Sequence, residues 1–329
     1  MAAPRKTIHA IASRIKCCAI IYALGIPLVH GISSPYQTTL SFPGYNQSAV
    51  LTNFPALVVL NEQIHGFRYS QFASSNGTDL RFSDPVHSNA LSYEIESWNT
   101  NGNSYVWVKV PALHQDATVI AHWGDVTAVI SPAYTTNGTV WSEHYEAVLH
   151  LNGTNLPDAS ARGFDGQNFG STAVPGIIAQ ARNFEKSGNQ YINCGPGLTI
   201  SNRSFTVSAW AKRDLTGSTA EGYLVSHGSA GPPDRRGLHI GFRGGGEADL
   251  FALGFWGDDV NSLLTYPDTN QWHLWSATYE FSTKTQRLYV DGKLVQTRVT
   301  ADHYQGLNGT DLYIGSRFDN VAFDGGIDE

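Results

Sequence analysis

The chain has 329 residues, 41% hydrophobic, 12% aromatic and only 15% charged, which is enough to bury one or two sizeable cores and excludes a disordered tail. Its 21 Lys and Arg against 28 Asp and Glu give a formal net charge of −7, with no basic cluster beyond the N-terminus, so nucleic acid and an anionic membrane surface are excluded as expected partners. With 33 glycines and 14 prolines among many Thr, Ser, Asn, Val, Tyr and Trp, the composition predicts short strands joined by tight turns, and hence an all-β protein.

At the N-terminus Arg5, Lys6, Arg14 and Lys16 precede an apolar run from Cys17 to Val29, the pattern of a secretory signal with its cut after Gly31. The run contains Pro27 and falls short of the ~20 residues a membrane-spanning helix needs, so residues 1–31 are expected to be removed, leaving no membrane span. Removal takes away four basic and no acidic residues, so the mature chain, expected in the secreted or cell-surface fraction, becomes more acidic. Cys17 and Cys18 leave with the signal. The remaining Cys194 can form no intrachain disulfide and has no His or Asp pattern of a thiol enzyme around it.

From 32 to 130 the chain reads as a small β-sandwich, with strand-like runs at Gln37–Phe42, Phe54–Leu60, Asp79–Ser83, Leu91–Trp98, Ser104–Val110 and Thr118–Trp123. Pro43-Gly44, Asn76-Gly77, Asp84-Pro85 and Asn101-Gly102 supply turns between them. In Tyr105–Val110 every second residue is valine, which predicts one buried face and a half-exposed face carrying Tyr105, Trp107 and Lys109. The segments L-T-N-F-P-A-L-V-V-L (51–60), D-L-R-F-S-D (79–84), L-S-Y-E-I-E-S-W-N (91–99) and Y-V-W-V-K-V-P (105–111) resemble the bacterial family called domain of unknown function 2341, over about residues 36–127. That resemblance implies a module of exported, multidomain surface proteins and no established reaction.

Residues 131–140, rich in Pro, Thr, Asn and Gly, read as a linker. The second unit, 141–329, offers strand candidates at Ala147–Leu151, Tyr191–Cys194, Phe205–Ala211, Tyr223–His227, Gly237–Phe242, Leu250–Phe255, Trp272–Tyr279, Arg287–Val290, Leu294–Arg298 and Leu312–Gly315. Ten strands without a convincing helix predict a large double-sheet jelly roll, and Asp291-Gly292 is its clearest hairpin turn. Here L-P-D-A-S-A-R-G-F-D-G (156–166), S-F-T-V-S-A-W-A-K (204–212), W-H-L-W-S-A-T-Y (272–279), R-L-Y-V-D-G-K-L-V (287–295), L-Y-I-G (312–315) and F-D-G-G-I-D-E (323–329) resemble the concanavalin A-like, laminin-G-like jelly roll. That family continues past I-D-E into a further strand, so a C-terminally truncated domain is expected.

Candidate chemistry is sparse. Glu94 and Glu96 stand at i and i+2 on one strand face, a spacing open to a glycosidase acid and base pair. Laminarinase-like glucanases of the concanavalin type carry three such acids on one strand; this pair lacks the third and lies in the other domain, so it reads as structural. The laminin-G-like resemblance implies one Ca²⁺ at a sandwich edge, with Asp158 matching the aspartate of the family's D-x-S-x-x-G segment and Asp328 that of I-D-E. The competing reading has Asp158 capping a turn and Asp328 accepting from backbone amides. The 12 histidines form no zinc motif, Gly244-Gly245-Gly246 reads as a flexible loop with no phosphate cradle, and no G-x-S-x-G turn occurs. Trp256, beside Asp258 and Asp259, can stack on a sugar ring while the carboxylates accept from its hydroxyls, or can close the sandwich core. Six Asn-x-Ser/Thr sequons, four of them Asn-Gly-Thr, are explained by turn chemistry before glycosylation. The expected function is therefore an exported non-catalytic module recognising extracellular glycans or surface proteins, against accessory domains of a larger glycan-degrading enzyme or a spacer in a surface adhesin.

Overall fold

The computed structural model describes residues 34–329, and the expected signal segment lies outside the described residues. Contacts divide the described chain into two units, 34–148 with 159–162 and 149–158 with 163–329. Among the described residues no helix is long and apolar enough to cross a membrane.

The N-terminal unit holds seven strands: β1 (Tyr36–Ser41), β2 (Leu51–Leu60), β3 (Arg81–Ser83), β4 (Ala90–Leu91), β5 (Tyr93–Ser97), β6 (Ser104–Leu113) and β7 (Thr118–Trp123). They make two antiparallel sheets, β1-β7-β3-β4 and β2-β6-β5. The alternation read in the sequence sets the inner face: Val106, Val108 and Val110 are buried with Ala56, Val58 and Leu60. The expected run Leu91–Trp98 breaks at Ser92, and its two pieces, β4 and β5, pair in different sheets. A single chain segment thus closes one corner of the sandwich, with Phe82 and Tyr93 edge to face at 5.3 Å.

The 131–140 segment is more tightly held than its composition suggests. Just ahead of it, Arg81 Nη2 donates to the carbonyls of Ala128 and Ile130 at 2.8 and 2.9 Å. The segment itself forms two 3₁₀ turns, Ala133–Thr135 and Thr139–Trp141. Lys109 Nζ donates to Thr139 O and to Ser142 Oγ at 3.2 and 2.7 Å, and the Trp141 indole donates to Glu94 at 2.6 Å. The boundary between units accordingly falls after Val148, and Ala147–Leu151 forms no strand: Leu151 sits at φ 56°, which an extended ladder does not allow.

The C-terminal unit is a two-sheet jelly roll. One sheet runs β16 (Val260–Thr265), β15 (Leu250–Gly254), β14 (Leu238–Phe242), β13 (Gly222–His227), β20 (Asp311–Ile314), β11 (Tyr191–Pro196) and β8 (Gln167–Phe169). The other runs β19 (Lys293–Val299), β18 (Thr285–Val290), β17 (Trp272–Glu280), β12 (Phe205–Arg213), β21 (Gly325–Asp328), β10 (Gln180–Phe184) and β9 (Thr172–Pro175). Trp275 meets Phe242 and Phe251 at 4.7 and 4.9 Å between the sheets, and each such ring removed from water contributes about 1.5–3 kcal/mol. Asp291 and Gly292 take φ 47° and 66°, as the hairpin between β18 and β19 requires. Strands β8, β9, β10, β16 and β21 carry polar or glycine-rich sequences without a clean alternation, and only their pairing defines them. The expected flexible glycine loop contains a 3₁₀ turn, Gly245–Glu247, fixed by Gly245 N–H donating to Ser218 O at 2.8 Å.

Candidate functional site

Directly paired residues of neighbouring strands share a face. The register therefore places Gly254, His239, Ser226, Tyr313, Asn193 and Gln167 in one row across β15, β14, β13, β20, β11 and β8. Their strand neighbours Leu238, Ile240, Leu253, Ile192, Leu312 and Ile314 are buried in the core, so the row lies on the outer face of the sheet. Exposure is graded along it: His239 and Ser226 are enclosed, Tyr313 and Asn193 are half-buried, and Gln167 is exposed. The enclosed end is roofed by the segment after β20, to which Ser226 is tied by its hydroxyl donating to Ser316 O at 2.9 Å.

Around that roof lies a corner of rings and charges. A Cβ at Gly254 would collide with the His239 imidazole, so glycine here lets the ring lie across the neighbouring strand toward Asp259, with Nε2 3.5 Å from the carboxylate. Burial holds His239 below its ordinary pKa. Burial also works against the charge on Asp259, but the neighbouring His239 and the Arg243 guanidinium at 2.7 Å outweigh it and hold the carboxyl well below its usual range. Arg317 grips Asp319 through Nε and Nη2 at 2.6 and 3.0 Å, and its guanidinium lies 4.5 Å over the Tyr223 ring and 5.3 Å from Trp256. Phe318 packs on Trp256 at 5.8 Å, in space that a side chain at residue 237 would fill.

Trp256 itself is half-buried and sits at φ 55°, a left-handed backbone that costs a bulky residue on the order of 1–3 kcal/mol. The turn is held from both sides: Arg235 N–H donates to Trp256 O at 2.9 Å, and Phe255 N–H donates to Asp259 Oδ1 at 3.0 Å. Asp258 is 1% exposed, accepts from Ala301 N at 2.9 Å, and pairs with Arg235 and Arg298 at 3.2 and 2.8 Å. It is thus a latch, which corrects its expected role as a ligand contact. Of the three residues expected together, the structure brings Trp256 and Asp259 to one corner and turns Asp258 inward.

The other end of the row is open. Phe169, 39% exposed, stacks on Tyr191 at 4.6 Å and 16° between planes, and Tyr191 meets Tyr313 edge to face at 5.8 Å. Beside them Asp311 accepts from Asn193 Nδ2 at 2.9 Å and from the Tyr313 hydroxyl at 3.3 Å, which fixes the amide and the phenol in place. No motif marks these residues as a site, although Tyr191-Ile192-Asn193-Cys194 alternates half-buried and buried positions.

Asp158 lies in a loop ahead of β8, whereas Asp328 is the last residue of β21. Asp158 Oδ2 accepts from Phe164 N at 3.3 Å, and its own N–H donates to Asp165 at 2.8 Å. Asp328 Oδ2 accepts from Ile177 N and Ile178 N at 2.7 and 2.9 Å, while its buried Oδ1 has no hydrogen-bond partner. Burial, and then the charge of Glu329, pushes this carboxyl up to about 8. An orphaned, buried carboxylate oxygen suits a hard cation, and Asp328 fits that role better than Asp158 does. Cys194 is 2% exposed and burial raises its thiol to about 12, an inert state. In the N-terminal unit Glu94 and Glu96 accept from the indoles of Trp141 and Trp107 at 2.6 and 2.8 Å.

Residues 76–150 match the family model of the domain of unknown function 2341, and residues 186–329 match that of the concanavalin A-like lectin/glucanases superfamily. The two matches follow one another in that order along the chain. No curated protein matches the sequence. Similar solved structures include domain 4 of AbnA, a GH43 extracellular arabinanase from Geobacillus stearothermophilus, in complex with arabinotriose, at 16% identity and TM-score 0.41, covering 52% of this chain and 82% of that one. The binding domain of Paraclostridial Mosquitocidal Protein 1 is similar at 16% identity and TM-score 0.40 over 55% of this chain, which spans 48% of that one. A candidate carbohydrate-binding protein from Bacteroides ovatus is similar at 13% identity and TM-score 0.34, over 89% of this chain and 73% of that one.

Proposed function

We propose that the concanavalin A-like unit is an exported, non-catalytic glycan-recognition module whose primary contact is Trp256. The observation that carries this reading is an indole held in a left-handed turn at a half-buried corner, backed by Arg317 and Phe318 and latched through Asp258. Strain of that kind persists where the surroundings over-determine it, and here it presents a large ring beside groups able to bond sugar hydroxyls: Asp259, Arg317 and Asp319. The non-catalytic part of the reading is supported by the ion pair that neutralises Asp259 and by the indoles that occupy Glu94 and Glu96. Calcium belongs to the same proposal, with Asp328 as the residue that would hold it and a structural role for the ion at the sandwich edge.

The test is affinity electrophoresis of the protein through gels containing soluble arabinan, xylan, mannan or β-1,3-glucan. At least one polysaccharide should retard it, and Trp256→Ala should weaken that binding by about tenfold or more while leaving the melting temperature within error or raising it. Free migration through every gel, or full retardation of the variant, would overturn the proposal.

A further inference from the structure

We infer that the open end of the same outer face is a second sugar subsite, so that the ligand is a linear uncharged glycan chain and not a single terminal sugar; this rests on the glycan reading above. Phe169, Tyr191 and Tyr313 expose aromatic surface of the kind that packs on the C–H faces of pyranose rings. Next to them Asn193 and Asp311 are locked to one another, so a planar amide and a carboxylate stand ready to donate to and accept from neighbouring hydroxyls without losing further side-chain entropy on binding.

Geometry sets the length. Trp256 follows β15 and packs against His239 of β14, whereas Phe169 and Tyr191 lie on β8 and β11. From β14 to β8 the sheet order counts four steps, and at about 4.8 Å per strand the two contacts stand about 19 Å apart across the face. A disaccharide cannot reach both. A chain crossing the row would pass over the roof at Ser316 and Arg317, where it meets backbone and guanidinium groups.

Charge sets the class. At the open end Asp311 is partnered by an amide and a phenol, with no cation among the contacts that hold it. At the Trp256 corner Arg317 and Arg243 are already engaged by Asp319 and Asp259. An anionic sugar would be repelled by Asp311 at the open end and would have to compete with Asp319 and Asp259 for Arg317 and Arg243 at the corner.

The experiment is isothermal titration of the whole protein with linear oligomers of two, four and six units of whichever neutral polysaccharide retards it, with oligogalacturonate as the anionic probe. The wild type should gain roughly tenfold or more in affinity between the dimer and the hexamer, because the second contact becomes intramolecular. The double variant Phe169→Ala/Tyr191→Ala should bind the dimer as wild type does and lose that gain, with circular dichroism and melting confirming the fold; the milder Asn193→Ala serves if the double variant unfolds. Equal affinity for dimer and hexamer, a hexamer gain that survives both variants, or tighter binding of oligogalacturonate would each overturn the inference and leave the Trp256 site standing. Loss of all binding in Trp256→Ala with no dependence on length would support the single-site reading instead.

Discussion

The outer face of β5 and β6 in the small sandwich and the outer face of β14, β13 and β20 in the large one are built from the same ingredients: carboxylates, tryptophan and a following segment that folds back as a roof. They end in opposite states. In the small unit the roof brings Trp141, whose indole N–H is spent on Glu94, while Trp107 is spent on Glu96 and packs edge to face with Trp141 at 5.1 Å. In the large unit the roof after β20 covers His239 and Tyr223 but leaves Trp256, Phe318 and the Tyr191 end half open. An indole whose polar tip is bonded locally and whose ring is packed serves stability. One whose ring is propped from beneath in a left-handed turn is the one proposed above to meet a sugar.

Four measurements break or sharpen that contrast. The largest effect is expected from Trp275→Ala, which empties the space between Phe242 and Phe251 and should cost the large unit about 3–5 kcal/mol. Because each unit has its own core, calorimetry should show one transition shifted and the other unmoved; a common shift of both would mean that the units unfold together.

Calcium comes next. Binding to the folded large unit alone would add about 2.7 kcal/mol at a 100-fold excess over Kd, lost on chelation and abolished by Asp328→Asn. Identical melting in calcium and in chelator would remove the ion from the account.

Trp107→Phe keeps an aromatic ring but removes the indole hydrogen bond to Glu96, and should destabilise the small unit by about 1–3 kcal/mol without touching glycan binding. Trp256→Phe should do the reverse, weakening binding with little change in stability. If both variants behave alike, the contrast between the two indoles fails.

The smallest effect concerns His273, set between Asp291 and Asp268 at 2.8 and 2.6 Å. Burial opposes its charge, but the two carboxylate hydrogen bonds outweigh it and raise the pKa above the ordinary 6.5. Its stabilising contribution is thus complete below about 6.5 and is lost as pH rises through the higher folded value. The melting temperature of the large unit should therefore fall in that window, and His273→Asn should flatten the slope; an unchanged slope in the variant would assign the pH response elsewhere. Partial exposure to solvent keeps the effect modest.

Local pattern carried the strand content a long way. The valine alternation of β6, the Asp291-Gly292 turn and the core strands β12, β17 and β18 were legible because period-2 burial and positive-φ turns are written in neighbouring residues. Asp258 and Asp259 were not separable in this way. They are adjacent and identical in type, yet one faces Arg235 and the 301–302 amides while the other faces Arg243 and His239.

By itself, then, the sequence determined that the chain is all β, that it forms two sandwiches in a given order, and which residues turn inward in the strands that alternate cleanly, since each of these follows from the two-residue repeat and from turn chemistry within a few positions. Only the tertiary structure decided which tryptophans bond to a carboxylate and which is left half-buried in a left-handed turn, that Tyr191 and Asn193 share a face with His239 through the intervening strands, and that Asp328 keeps one oxygen unpartnered. Those outcomes depend on cross-strand register and on segments brought together from more than a hundred residues apart, such as Ile177 and Asp328, and no local pattern encodes them.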